Sequence, residues 1–190
     1  LSKMFRVGRI SLVIGLAVVF VSACSRTPEP AQFAGPTMGT TYHITVSAAD
    51  SLQERRGVQS AIDRVLVETE RHLSTYNDTS EIALLNRDES RSWQDVSPTL
   101  FVVLQEAHEV SELTGGSFDV TVAPLLGLWG HESGGAGAPG QTSFQAPTSG
   151  QLEQARKSVG HAKLELRNVP RMAVRKSASG MRLTVDGIAP

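Results

Sequence analysis

The chain holds one cysteine, Cys24, in 190 residues. A single thiol excludes an internal disulfide and a cysteine-rich metal site. Charge of one sign is also lacking. The formal net charge is −1 and no basic stripe follows residue 26, which excludes a nucleic-acid binder held by electrostatics. None of the five histidines has a second ligand at metal spacing, so no histidine metal site is expected. Long apolar runs are missing too. Ile10–Val21 is short beside the roughly 20 residues of a membrane-spanning helix. No internal repeat is visible.

What is present begins with a targeting segment. Lys3, Arg6 and Arg9 precede the Ile10–Val21 run, and Val21-Ser22-Ala23-Cys24 follows it. A basic stretch, an apolar stretch and small residues are the parts of a secretory signal. Small residues before a lone cysteine look like a bacterial lipobox. Residues 1–24 are therefore read as a lipoprotein signal, with Cys24 lipidated and anchoring the protein at the periplasmic side of a bacterial cell membrane. An ordinary secretory signal with an incidental cysteine is the alternative. Residues 25–32, with Pro and Glu, read as a tether. The domain is expected over 33–190.

Within that domain Thr41–Ser47 alternates, which predicts a half-buried strand with Tyr42, Ile44 and Val46 on one face. Met38 lies on the turn before it. Ser51–Leu73 predicts a long helix with Val58, Ile62, Val65, Leu66, Thr69 and Leu73 as its apolar stripe. Asn77–Ser80 supplies turn and capping residues for a short helix through Asn86. Tyr76 then falls on the loop between two helices, either facing a cleft or covering a core edge. Ser97-Pro98 starts a third helix, striped by Leu100, Val103, Leu104, Ala107 and Val110. Segment 131–148, rich in Gly, Ser, Pro and Ala, reads as a surface loop. Thr148 and Gln151 form a capping box for a helix to about Val159. Three strands are expected at Lys163–Leu166, Met172–Arg175 and Met181–Val185.

Gly115-Gly-Ser-Phe-Asp119 ends the third helix. Adjacent glycines suit positive φ and close backbone approach. Such a turn can aim successive N–H groups, with Ser117 and Asp119 beside them, at a phosphate-bearing ligand. A plain helix cap followed by a strand is the alternative.

The motifs Thr37-Met-Gly-Thr-Thr-Tyr42, Ser74-Thr-Tyr76 with Ser80-Glu-Ile82 and Asn86, Gly115-Gly-Ser-Phe-Asp119, Pro124-Leu125, Leu128-Trp129 and Gly187-Ile-Ala189 occur in order. Together they resemble the ApbE family of FAD:protein FMN transferases over about residues 35–190. The resemblance implies an α+β, T-fold-type domain, with an antiparallel sheet and packed helices, here the N-terminal part of a longer protein. It implies splitting of FAD at its pyrophosphate, transfer of FMN to a Thr or Ser of an acceptor flavoprotein of a membrane redox complex, and release of AMP with Mg2+. By the same resemblance Met38, Tyr76, Ser117, Phe118, Asp119 and Asp186 are flavin-nucleotide contacts. Asp119 is also the catalytic candidate, and the Ala189 carbonyl a metal ligand. The run Thr184-Val-Asp-Gly-Ile-Ala-Pro190 departs from the family pattern, with Pro190 where Lys is commonest. A flavin-binding lipoprotein without transferase activity and a non-catalytic envelope lipoprotein remain as alternatives.

Overall fold

The structure, a computed structural model, describes residues 30–47, 51–131 and 146–188. Cys24, Ala189 and Pro190 lie outside the described residues, as does most of the 131–148 segment. The chain divides into two compact units. One comprises Leu1–Ala34 and His43–Gln59, the other Gly35–Tyr42 and Ser60–Pro190.

Two strands, β1 (Ala31–Thr37) and β2 (Thr40–Val46), form a two-stranded sheet. β1 starts two residues before Phe33, at the end of the segment read as a tether. Ala31 and Phe33 are buried, two apart as strand geometry requires. The turn residues Met38 and Gly39 both have positive φ, 42° and 75°, the signature of a tight hairpin turn whose twist matches its strands.

Helix α1 (Leu52–Leu73) begins with a reciprocal cap. The Glu54 N–H donates to Ser51 Oγ at 3.1 Å, and the Ser51 N–H to Glu54 Oε2 at 2.9 Å. Its stripe is less buried than the spacing predicts: Leu73 is buried, but Val65 is 65% exposed.

The larger unit carries the core. Helix α2 (Glu81–Arg87) is capped by Ser80 and α3 (Pro98–Leu113) by Ser97. Leu73, Ile82, Leu85, Leu100, Leu104, Ala107 and Val120 pack with Leu164, Val174, Met181, Leu183 and Val185. Three strands, β3 (Gln94–Asp95), β4 (Leu164–Arg167) and β5 (Ala173–Lys176), make an antiparallel sheet in the order β3-β5-β4. Glu165 stands opposite Arg175 in register and pairs with it. The guanidinium carbons of Arg167 and Arg175 lie 4.4 and 5.0 Å from the Trp93 ring centroid, a cation–π arrangement. Helices α4 (Ala123–Leu128) and α5 (Ser149–Lys157) complete the unit. The Thr148–Gln151 capping box is present as expected.

Lys176 is buried and donates to the carbonyls of Leu85 at 2.6 Å and Asp88 at 2.5 Å. It satisfies orphan acceptors at the end of α2, where a cation also meets the negative end of the helix dipole. Burial holds its ammonium below the usual lysine range, against the opposing charges of Asp88 and Glu89.

The third expected strand, Met181–Val185, is corrected. Met181, Leu183 and Val185 alternate inward, but no strand pairs with them among the described residues. The side chain of Asn86 takes that place. Its Nδ2 donates to the Leu183 carbonyl at 2.8 Å and its Oδ1 accepts the Leu183 N–H at 2.7 Å. One amide thus stands in for a strand edge. The Thr184 N–H goes to the Val120 carbonyl at 2.8 Å.

Candidate functional site

All the sequence-expected flavin contacts lie in the larger unit. Met38 sits at the hairpin turn with φ of 42°, unfavourable for a residue with a side chain. A carboxylate from α1 holds it there. Glu70 Oε1 accepts the Met38 N–H at 3.0 Å and the Thr37 hydroxyl at 3.2 Å. The next residue meets Tyr76: a Cβ on Gly39 would stand 3.3 Å from the Tyr76 ring. Tyr76 therefore packs against the hairpin while keeping 56% of its surface exposed.

The loop that presents Tyr76 is knitted from within. Ser74 Oγ accepts the N–H groups of Tyr76 and Asn77 at 3.3 and 3.2 Å. The Ser80 hydroxyl donates to the Ser74 carbonyl at 2.5 Å and accepts the Ala83 N–H at 3.2 Å. Thr75, beside Tyr76, donates to Asp186 Oδ1 at 3.2 Å. Asp186 is followed by Gly187, where a Cβ would lie 3.1 Å from the Phe118 ring. Met38, Tyr76, Asp186 and Phe118 are thus linked through near neighbours into one region.

A cavity of about 240 Å³ opens in this region. It is lined by Thr75, Asp78, Ala83, Asn86, Arg87, Ala123, Leu126, His131, Arg182, Thr184 and Asp186. Of the expected site residues only Asp186 lines it. Sequence reading missed Arg87, Arg182 and Glu70. Arg182 sits between inward-facing Met181 and Leu183, so its alternation was the available signal. Glu70 lay among charges read as a solvated face of α1, and nothing local marks it out.

The glycine turn shows the helix cap that was the alternative to a ligand role. Gly115 and Gly116 have φ of 59° and 81°. Their N–H groups donate to the carbonyls of Glu112 at 3.1 Å and Ser111 at 2.8 Å. The Ser117 N–H goes to the Thr114 carbonyl at 3.3 Å and the Phe118 N–H to Thr114 Oγ1 at 3.2 Å. All four donors are engaged in closing α3, which is a Gly C-cap. No strand follows. Val120–Val122 forms a 3-10 turn leading into α4.

Asp119 is similarly engaged. Its Oδ1 accepts the Thr121 N–H at 2.8 Å and the Thr121 hydroxyl at 2.6 Å. Its Oδ2 accepts the His161 N–H at 2.8 Å, and Thr121 Oγ1 accepts the Gly160 N–H at 2.7 Å. The carboxylate braces the 3-10 turn against residues 160–161. Ser117 is exposed.

For a metal, the fit is poor. No group of three or more His, Cys, Asp and Glu able to hold an ion occurs among the described residues. Asp186 brings one carboxylate, already accepting from Thr75. Among the described residues, no helix is long and apolar enough to cross a membrane.

Comparison with known proteins matches the model of the ApbE family to residues 38–190. A Vibrio cholerae FAD:protein FMN transferase is 36% identical over 119 residues, which cover 63% of this chain and 36% of that protein. The Haemophilus influenzae protein of the same name is 29% identical over 160 residues, covering 83% and 44%. The matched segments thus span less than half the length of these relatives. The solved flavin transferase ApbE from Vibrio cholerae superposes with a TM-score of 0.75 at 30% identity, over 85% of this chain and 49% of that one. An apbe protein from Thermotoga maritima superposes with a TM-score of 0.70 at 24% identity, over 85% and 48%, a likeness of fold.

Proposed function

Because this chain belongs to the ApbE family, we propose that it carries the flavin-binding part of an FAD:protein FMN transferase. One observation supports this above the others. Met38, Tyr76, Phe118 and Asp186, far apart in sequence, are brought into one region through their chain neighbours Gly39, Thr75 and Gly187. A packed but exposed tyrosine suits one face of an isoalloxazine ring, as aromatic side chains suit planar bases. The cavity, at about 240 Å³, lies below the usual range of about 300–1,000 Å³ for drug-sized ligands. It therefore suits a portion of FAD. Arg87 and Arg182 with Thr75, Asn86 and Thr184 suit the sugar–phosphate portion.

In the proposed reaction an acceptor hydroxyl attacks the FMN phosphorus of FAD. A new O–P bond forms, the pyrophosphate P–O bond breaks, AMP leaves and the hydroxyl proton passes to solvent or a base. Such transfer depends chiefly on positioning and charge neutralisation. Mg2+ would supply part of that neutralisation. The described residues do not complete a metal site, so no step is assigned to the ion. Of the two carboxylates, Asp186 lines the cavity and is the better candidate for contact with substrate, whereas Asp119 positions the turn. The acceptor is proposed to be a flavoprotein of a membrane redox complex. The lipobox around Cys24 supports anchoring at the periplasmic side of the membrane.

The test is flavin binding followed by turnover. FAD fluorescence should quench on addition of the full chain, and Tyr76→Ala should weaken the Kd by about 1–3 kcal/mol, the scale of one lost stack. Absence of FAD binding would remove the proposal. Binding without Mg2+-dependent AMP release in the presence of an acceptor would favour a flavin-binding lipoprotein instead.

A further inference from the structure

The loop that carries Thr75, Tyr76 and Asp78 is closed at its base by an ion pair. His72, at the end of α1, places Nδ1 2.5 Å from Glu81 Oε2 at the start of α2. Its other nitrogen, Nε2, lies 3.0 Å from Glu68 Oε1. A neutral imidazole carries one N–H and can donate to one carboxylate; only the imidazolium donates to both. The geometry itself therefore calls for the charged form. His72 is well covered, with 12% of its side chain exposed.

Glu81 is held in turn by α3. Its Oε1 accepts the Ser97 N–H and its Oε2 the Ser97 hydroxyl, both at 2.5 Å. The Ser97 hydroxyl then accepts the Leu100 N–H to cap α3. The charged and titratable groups facing the pair are Glu68, itself 3.4 Å from Arg71, and Glu81 with its Ser97 donors. Burial opposes charge on His72, but the hydrogen bonds and charges of Glu81 and Glu68 outweigh it and raise its pKa.

We propose that His72 and Glu81 are positioning residues, forming a proton-dependent clasp that sets the Tyr76 loop in its ligand-binding geometry. Losing the imidazolium proton removes a donor from one of the two carboxylates and the charge that holds both. The loop then keeps its internal bonds through Ser74 and Ser80, while the tie at its base loses its charge and one of its two hydrogen bonds. The link to flavin rests on the reading of the site given above; the clasp itself does not.

The experiment follows amide protection factors for residues 74–80 in the flavin-free full chain, corrected for intrinsic exchange, from pH 6 to pH 9. An NMR titration of the His72 ring runs beside it. Protection in the parent should fall by roughly tenfold, the scale of one charge-assisted hydrogen bond, with the midpoint of the His72 titration. His72→Gln, which cannot take a charge, should show no such step. A neutral His72 at pH 6, or a step that survives in His72→Gln, would overturn the clasp. Should that variant not fold, the parent alone decides, through coincidence or mismatch of the two midpoints. FAD affinity is measured at both ends of the range. Affinity that falls with protection supports the positioning role, and unchanged affinity overturns it. Absence of FAD binding at every pH overturns the flavin reading and with it the positioning role for flavin, while the exchange data still judge the clasp.

Discussion

The Met38 N–H donates to Glu70 Oε1 at 3.0 Å, so a carboxylate on the long helix fixes a hairpin turn whose first residue has positive φ. The same oxygen accepts the Thr37 hydroxyl. Glu70→Ala removes both bonds. We expect a loss of about 1–2 kcal/mol of stability, the scale of charged hydrogen bonds at a partly exposed site, and weaker FAD binding because Gly39 no longer backs Tyr76. Glu70→Gln keeps an acceptor and should restore most of both. Urea denaturation with FAD titration checks the pair of variants; parental behaviour in Glu70→Ala would detach the turn from the helix.

Asp119→Asn keeps the shape of its side chain, and from sequence alone it is expected to leave the fold intact. The structure reverses that expectation. Asp119 faces N–H or O–H donors on both oxygens, and an amide nitrogen must turn a donor toward one of those sides. The cost of a polar group left without its partner is about 1–3 kcal/mol. A melting temperature equal to the parent's would show that the brace contributes nothing.

Gly116→Val should lower stability more than it lowers flavin affinity. The Gly116 φ is 81°, while an added Cβ would approach the His161 ring no closer than 3.5 Å. Backbone conformation is thus the problem rather than space, at a cost of about 1–2 kcal/mol for a left-handed residue with a side chain. Intact stability with lost FAD binding would return the turn to a ligand role.

Acid should loosen the junction of α2 and α3 through Glu81. Burial raises its pKa, but the Ser97 hydrogen bonds and then His72 lower it by more, for a net shift downward. A carboxyl with a depressed folded pKa adds stability that is present above its unfolded value and is lost as pH falls through the folded one. Stability should therefore drop on acidification below the ordinary glutamate range. Glu81→Gln should flatten that limb in a pH series of thermal melts; an identical slope in the variant would clear Glu81 of the effect.

Helices were the legible part of the sequence. Ser80, Ser97 and the Thr148–Gln151 box announced three starts, because capping is local chemistry. The Met181–Val185 alternation was legible as burial but not as pairing, since its partner, Asn86, is 97 residues away from Leu183. At the site, Tyr76 on its loop and Met38 on its turn could be read from flanking turn residues. The employment of the Gly115–Phe118 donors could not. It depends on Thr114 and on the last turn of α3 adopting a particular closure. Glu70 and Lys176 were invisible for a related reason: a charged residue on a helix face or just after an expected strand reads as solvated until the chain that it reaches across space is known.

The stack of Trp93 beneath Arg167 and Arg175 leaves the molecule with two optically unequal indoles, since the other tryptophan, Trp129, is 44% exposed. A neutral collisional quencher should extinguish Trp129 emission first and leave a shielded component from Trp93. That component reports on the three-stranded sheet. Trp129 stands two residues from His131, which lines the cavity. Flavin absorbs where indole emits, so ligand arrival should dim one lifetime component and sheet opening should shift the other. Binding and unfolding thereby become separately visible in one unlabelled sample.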